Sequence, residues 1–128
     1  AGQNWQILLP ALYNKKCKTL KESLFCILER TGSHCRADGD SFEKQLDRFA
    51  CYDRTIITTL ERMSISIEEK KAYLKKVARL SHQRDLLLAI RFRNRTNVWK
   101  FLCSSPYSMT RKDWLIRMKA IIFLLSNN

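Results

Sequence analysis

Glycine and proline are scarce in this chain: its 128 residues include three glycines and two prolines. An all-β fold needs a turn roughly every 8–12 residues, and such turns are built largely from these two residue types. Their scarcity therefore favours long helices. It also argues against a glycine-rich phosphate-binding loop, because three glycines cannot supply both that loop and the turns of the chain.

Catalytic motifs are missing too. The chain contains neither a G-x-S-x-G turn nor an HExxH zinc motif. The adjacent acids Glu68 and Glu69 would point in different directions on a helix, so they do not form a catalytic pair. His34 and His82 are far apart and no C-x-x-C pair occurs, which argues against a metal site. We therefore expect no enzyme activity, no metal and no cofactor.

Long hydrophobic runs are absent as well. No stretch approaches the roughly 18 apolar residues of a membrane-spanning helix, so no membrane insertion is expected. Hydrophobic residues make up 45% of the chain, which is ordinary for a folded domain and too high for a disordered one. We expect residues 1–128 to form one domain with its own core.

Cysteine is not scarce: five cysteines are many for a cytosolic domain of this size. The sequon at Asn94 predicts N-glycosylation in a secreted protein. The chain begins AGQNWQ without an initiator Met, which suits a mature chain after removal of a signal peptide, or a trimmed one. We therefore expect a secreted, extracellular protein. Cys51 and Cys103 either form a staple between distant elements or remain two buried thiols, and an odd number leaves at least one thiol free or paired between chains.

Basic residues outnumber acidic ones by 24 to 12, which gives a net charge of +12. This charge favours acidic partners such as nucleic acid, anionic lipid, sulfated glycans or an acidic protein. Arg84, Arg91 and Arg95 would share one face of a continuous helix, close to Arg93. That strip is either a solvated face or a docking surface for an acidic protein or a sulfated glycan. Nucleic acid is not expected, because no recognition-helix motif is present and secretion argues against it.

Apolar residues recur at helical spacing in four segments. The predicted helices are helix A over about 10–31, helix B over 41–63, helix C over 66–95 and helix D over 110–125. Pro10 is expected at the first helical position of helix A. Ser41 and Thr110 are expected N-caps, and Ser66 with Glu69 predicts a capping box. Four such helices predict an all-α four-helix bundle, in up-down-up-down order if the links are short or up-up-down-down order if they are long.

Three further predictions concern individual side chains. The inner face of helix D is expected to consist of Trp114, Leu115, Met118, Ile121, Ile122 and Leu125. Trp99 is expected to pack at one end of the bundle, because a large aromatic side chain there is most often a packing residue. His82, which lies among polar residues, is expected at the surface.

Four segments, in order, resemble short-chain four-helix cytokines of the interleukin-4/interleukin-13 group. They are CKTLKESL from Cys17, FACYDRTIITTLERM around Cys51, HQRDLLLAIRFRNRTNVW up to Trp99, and DWLIRMKAII from Asp113. The segment ERTGSHC is also similar to interleukin-7. The resemblance runs from Cys17 to Leu125 and implies an up-up-down-down bundle. It further implies a secreted, monomeric growth factor of the immune response that brings type I cytokine receptor chains together.

The resemblance also implies which residues bind receptors. Glu22 on helix A, with Arg91, Arg93 or Arg95 on helix C, would form the high-affinity charged contact, and Arg84 belongs to the same basic strip. A second receptor chain would contact the end of helix D at Phe123, Ser126 and Asn127. Of the disulfides in the family, the resemblance implies one between Cys51 and Cys103, with Cys26 and Cys35 as a possible second pair.

One alternative function keeps the helical fold but changes the partner. A basic, secreted helical protein can bind sulfated glycans such as heparan sulfate, or anionic membranes. Binding of that kind would weaken sharply with salt and would tolerate rearranged arginines. A receptor ligand would instead depend on Glu22 and on one or two particular arginines.

Overall fold

The computed structural model describes residues 3–16, 41–104 and 109–126, with side chains from Gln6 onward in the first range. Five α-helices lie in these ranges: α1 (Gln3–Leu12), α2 (Phe42–Arg62), α3 (Ile67–Arg91), α4 (Arg95–Cys103) and α5 (Arg111–Leu125). The described ranges contain no strand. The all-α class predicted from the sequence is therefore confirmed.

The long helices begin at the predicted caps. The Ser41 hydroxyl accepts a hydrogen bond from the backbone N–H three residues on, at the start of α2. Ser66 and Glu69 form a capping box at the start of α3, and Thr110 and Asp113 form another at the start of α5. Each cap satisfies backbone N–H groups that have no partner inside the helix. Helices B and D were thus predicted to within one residue of α2 and α5.

We expect Thr110→Ala to lower the free energy of unfolding by about 1 kcal/mol, because the first turn of α5 loses its capping oxygen. Urea denaturation followed by circular dichroism measures this change. Thr96→Ala is the matched control, since Thr96 is an exposed residue of α4. Equal losses in the two variants would show that the cap contributes nothing.

The first helix differs from its prediction. Pro10 does not begin a helix but lies inside α1, which ends two residues later at Leu12. Proline has no backbone N–H, so Pro10 cannot donate the usual hydrogen bond within α1. Because α1 ends two residues later, few further residues of the helix are affected by this loss. Asn14 follows with φ 55°, the left-handed conformation common just after a helix. The rest of predicted helix A, residues 17–31, lies outside the described residues.

Predicted helix C is in fact two helices, because the chain turns sharply after Arg91. The N–H of Arg93 donates to the Ile90 carbonyl at 3.0 Å, and the N–H of Asn94 donates to the Ala89 carbonyl at 2.9 Å. These two bonds form a Schellman motif, in which Arg93 has the left-handed φ of 53° that glycine usually adopts. The Asn94 side chain then accepts from the backbone N–H of Asn97 and caps α4.

Side-chain contacts show that α2 and α3 run antiparallel. Phe42, at the start of α2, lies edge-on to Phe92 just after α3, with ring centroids 6.0 Å apart. Further along α2, Asp53 contacts Arg84, which is earlier in α3. Later residues of α2 therefore contact earlier residues of α3, as they do in antiparallel helices.

In contrast, α3 and α5 run parallel. Gln83 of α3 donates a hydrogen bond to Asp113 in the first turn of α5. Arg95, just beyond α3, donates to the carbonyl of Leu124 near the end of α5. Between them, α4 carries the chain back along α3, because Phe101 near its end lies edge-on to His82 with ring centroids 6.2 Å apart. This return lets α5 start beside the middle of α3.

The core lies where α2, α4 and α5 meet α3. Its buried side chains are Phe42, Leu86, Leu88, Ala89, Val98, Ile116 and Ala120. In α5 the residues buried in the described core are Ile116 and Ala120, so the prediction of which face of helix D packs on this core is wrong. The six residues of that face are 38% to 72% exposed. Because α5 is apolar on both sides, its periodicity could not show which side packs on α3.

Candidate functional site

An open groove of about 410 Å³ crosses α3 between α2 and α5, and we call it the α3 groove. Its apolar lining consists of Phe49, Leu80, Leu87, Leu88 and Ile116, and its polar lining of Gln45, Gln83, Arg84, Arg91 and Lys112. None of these residues is acidic. Leu80 and Leu87 are 46% and 41% exposed, so a partner can reach them directly. An apolar floor with basic edges suits a partner that combines apolar and acidic groups.

Arg84 is committed to contacts inside the protein. Its guanidinium donates two hydrogen bonds to the Asp53 carboxylate, at 3.0 and 2.7 Å, and two to Asp85, at 3.1 and 2.8 Å. It also lies 4.5 Å from the ring centroid of Phe49. These contacts join α2 to α3, as bidentate and cation–π contacts do when partly shielded from water. The first function of Arg84 is therefore structural.

Asp53 and Asp85, which both accept hydrogen bonds from Arg84, have pKa values that shift in opposite directions. Burial raises the pKa of Asp53, but hydrogen bonds from Arg84 and Ser81 outweigh burial and leave that pKa below its ordinary value. Burial also raises the pKa of Asp85, and there the hydrogen bond from Arg84 does not fully offset it. Desolvation lowers the pKa of Arg84 itself, but both acids outweigh it and the net pKa is raised. Arg84 therefore stays charged.

The other predicted arginines do not form one strip. Arg91 is exposed and lines the α3 groove, close to the end of α3. Arg93 is exposed in the turn that follows. Arg95 begins α4, where it donates to the Leu124 carbonyl at 2.7 Å and so holds the last turn of α5. The prediction of a strip of Arg84, Arg91 and Arg95 is wrong, because α3 ends at Arg91.

The predicted second receptor site is only partly described. Phe123 is half-buried and packs against the core. Ser126 is exposed at the C-cap of α5, and its hydroxyl donates to the Phe123 carbonyl at 3.3 Å. Glu22 and Asn127 lie outside the described residues. The receptor contacts of all these residues remain predictions.

The predicted disulfide between Cys51 and Cys103 is not formed. Both are exposed free thiols, Cys51 in α2 and Cys103 at the end of α4. Every Cα of α2 is more than 8 Å from every Cα of α4, whereas a disulfide needs Cα atoms about 4.4–6.8 Å apart. The physical reason is that α4 packs on α3 and α5 and not on α2. Cys26 and Cys35, the possible second pair, lie outside the described residues.

Asn94, the predicted glycosylation site, is half-buried at the N-cap of α4. Its side-chain oxygen accepts the N–H of Asn97 at 3.1 Å. A glycan would bond to the side-chain nitrogen and could leave this oxygen in place as the cap. Glycosylation of Asn94 remains a prediction.

The exposure of two side chains differs from the exposure predicted from the sequence. Trp99 is 64% exposed, so the predicted packing role is wrong; the neighbouring Val98 takes the buried position of α4. His82 is half-buried against Phe101, not at the surface. Its Nε2 atom is buried and has no hydrogen-bond partner among the described residues. Burial, followed by the nearby charge of Arg117, lowers the pKa of His82 below its ordinary value.

We expect the free energy of unfolding to fall as the pH drops from about 7 to 5, because His82 takes up a proton more readily in the unfolded chain. Its pKa is lowered by folding, so protonation favours the unfolded state below the ordinary pKa of about 6.5. Hydrogen bonds from Thr110 and Gln83 outweigh burial and lower the pKa of Asp113 to about 2, so this neighbour stays ionised throughout. Urea denaturation across this range should show a shallower pH dependence in His82→Gln, and an unchanged dependence would contradict us.

Comparison with known proteins identifies no relative. No family model, no curated protein and no solved structure matches this chain. Within the described ranges, no helix combines the length and the apolar character needed to cross a membrane. Those ranges also contain no group of three or more His, Cys, Asp and Glu residues placed to hold a metal ion. Function must therefore be inferred from the residues and their arrangement.

Proposed function

We propose that this protein is a secreted helical cytokine that binds cell-surface type I cytokine receptor chains and brings them together. The observation that carries this proposal is the parallel arrangement of α3 and α5. Two consecutive long helices can run parallel only if their connection returns along the bundle, and here α4 makes that return. With antiparallel α2 and α3, the order is up, down, down, as in the last three helices of an up-up-down-down bundle. The first half of that order is implied by the resemblance alone.

The bundle also needs a fourth long helix, and the outer face of α5 supports its presence. That face consists of Trp114, Leu115, Met118, Ile121, Ile122 and Leu125. A helix that is apolar on both sides is normally covered on both. The helix A predicted over about 10–31 has an apolar stripe of Tyr13, Cys17, Leu20, Leu24 and Ile27, and its part beyond the described residues, 17–31, could cover this face. We propose that it does.

If the outer face of α5 is covered, Ile122→Asn should lower the free energy of unfolding by about 2 kcal/mol or more, because a polar side chain replaces a packed one. Lys119→Asn, three residues earlier in the same helix, should change it by about 0.5 kcal/mol or less. Urea denaturation compares the two variants. Similar small losses would mean that this face is open to solvent and that α5 has no fourth helix against it.

The α3 groove is the proposed receptor-binding surface in the described part of the chain. Arg84 is engaged by two carboxylates, which leaves Arg91 and Lys112 as the cations at the edges of the groove. Leu80 and Leu87 supply exposed apolar area between them. Apolar contacts surrounded by charges are the usual composition of an interface centre and rim. Charges at the rim would also speed the encounter with an acidic receptor surface.

A binding screen against type I cytokine receptor ectodomains, by surface plasmon resonance, tests this function. We expect Arg91→Glu to weaken binding by about tenfold or more, and Glu22→Lys to do the same. Lys119→Glu changes the net charge equally at an exposed site of α5 and should weaken binding by less than about threefold. Failure of every ectodomain to bind would exclude the proposal. Equal losses in Arg91→Glu and Lys119→Glu would favour the alternative of a basic protein that binds sulfated glycans or anionic membranes.

A further inference from the structure

The first half of α3 carries an unusually dense group of cations. Five of the ten residues from 70 to 79 are Lys or Arg, and none of the ten is acidic. Lys71, Lys75 and Lys76 are exposed, and no hydrogen bond or ion pair is formed by any of them within the described residues. We call these three residues the lysine cluster. It is separate from the α3 groove, whose lining begins at Leu80.

Among the described helices, α2 contacts this part of α3 at Glu61, but α4 and α5 do not cover it. The first turn of α5 meets α3 at Gln83, and the last turn of α4 meets it at His82. The helix before that level therefore has neither α4 nor α5 beside it. The lysine cluster is exposed in this half of α3, where a long, flexible ligand could lie along the helix.

The helical spacing arranges the cations in a row. Lys71, Lys75 and Arg79 are each four residues apart, so they lie on one side of α3 and extend over about 12 Å. Lys76 adjoins Lys75 on the neighbouring side. Arg79 is half-buried and is attracted to Asp113, so it ends the row instead of extending it.

Nearby acids neutralise little of this charge. Glu69 is occupied by the capping box with Ser66, and its carboxylate accepts a hydrogen bond from the Tyr13 hydroxyl at 3.0 Å. Glu68 is the one other acid in the first turn of α3. Lys70 is directed away from the cluster, since its ammonium group donates to the Glu61 carbonyl at 2.8 Å. Within the part of the chain that the structure describes, the ammonium groups of Lys71, Lys75 and Lys76 therefore have no partner.

We propose that the lysine cluster binds a sulfated polysaccharide of the heparan sulfate class. Sulfate groups repeat along such a chain and stay ionised at every physiological pH, so they can meet a row of lysines. A single exposed ion pair contributes little, but several contacts to one polyanion add together and release its bound counterions. This site goes beyond receptor binding and depends on the proposed function only for its extracellular location.

The composition of the surface favours a glycan over other polyanions. Single-stranded nucleic acids need a series of aromatic side chains for their bases to stack on. Within α3 the cluster adjoins a single one, Tyr73, which lies beside Lys76 and on the opposite side of the helix from Lys71 and Lys75. Anionic membranes are bound by lysines that flank large apolar residues. Beside Lys75 the helix carries Ala78 and Arg79. The large exposed apolar side chains lie on opposite flanks of the cluster, Ile67 beside Lys71 and Leu80 beside Lys76, and do not form one apolar face.

Heparin affinity measurements test the site with two charge-matched variants. The first carries Lys71→Gln, Lys75→Gln and Lys76→Gln. The control carries Lys44→Gln, Lys100→Gln and Lys119→Gln, which removes three exposed lysines from α2, α4 and α5. Titration calorimetry with a heparin oligosaccharide should show a loss of tenfold or more for the first variant and less than about threefold for the control. All six residues are exposed, so thermal unfolding should confirm that both variants stay folded.

Several results would overturn the proposal. Equal losses in the two variants would mean that net charge alone binds heparin. Equal affinity for desulfated heparin would exclude sulfate recognition, and equal affinity for single-stranded DNA of the same length would indicate a general polyanion surface. A receptor-binding measurement distinguishes this proposal from the proposed function. The variant of the lysine cluster should bind a receptor ectodomain as tightly as the unsubstituted protein does. A heparin result would stand even if no receptor ectodomain bound.

Discussion

Leu86→Ala should lower the free energy of unfolding by about 2–5 kcal/mol, because it removes a fully buried side chain at the centre of the core. Leu86 is 1% exposed and belongs to α3, the helix that α2, α4 and α5 all contact. The surrounding helices cannot all move inward at once, so much of the lost volume would remain as a cavity. Urea denaturation followed by circular dichroism measures the change.

The next residue provides a matched control for this prediction. Leu87 is 41% exposed, so Leu87→Ala removes the same atoms from the same helix and should cost about 1 kcal/mol or less. A similar loss in both variants would mean that α3 is rotated relative to the arrangement described here. A large loss at Leu87 alone would mean that the α3 groove is filled in solution.

Arg84→Met should be the second strongly destabilising change, with an expected loss of about 2–3 kcal/mol. Methionine can keep the packing of the aliphatic stem but leaves Asp53 and Asp85 without their cation. The Arg84 side chain is 28% exposed and the carboxylates 19% and 21%, so water screens part of the effect and we place it below that of a fully buried pair. Urea denaturation at neutral pH gives the value.

Two further variants separate this role from a general effect of charge. Arg91→Met removes an exposed cation seven residues later in the same helix and should change the free energy of unfolding by about 0.5 kcal/mol or less. Adding Asp85→Asn to Arg84→Met should restore part of the lost stability, because one unpaired carboxylate is removed. If Arg84→Met and Arg91→Met were equally mild, the contacts of Arg84 would not stabilise the fold.

The contacts of Arg84 inside the protein also narrow the choice of arginines that can bind a receptor. A sequence pattern cannot distinguish an arginine that binds a receptor from one that joins two helices. Asp53, the main partner of Arg84, is 31 residues away in the chain. Once that contact is known, Arg91 and Arg93 are the exposed arginines left near the end of α3. Variants of these two residues therefore test receptor binding without disturbing the contact between α2 and α3.

Local features of the fold were predictable from neighbouring residues. Ser66 with Glu69 forms the expected capping box and Thr110 is the expected N-cap, because such caps depend only on residues a few positions apart. The end of α3 was missed for a local reason as well. A left-handed residue at a helix end is usually glycine, and here it is Arg93, which gives no such signal.

The helical class and the large positive charge follow from composition and periodicity, because both are sums over residues taken in order along the chain. Three other features depend on which helices lie side by side: the face of α5 that packs on α3, the arginines that remain free, and the separation of Cys51 from Cys103. Those contacts join residues tens of positions apart. The sequence of α5 fits more than one packing arrangement, because both sides of this helix are apolar. The same is true of an arginine such as Arg84, which has several acidic residues as possible partners. Only the packing of α2, α4 and α5 around α3 selects one of them.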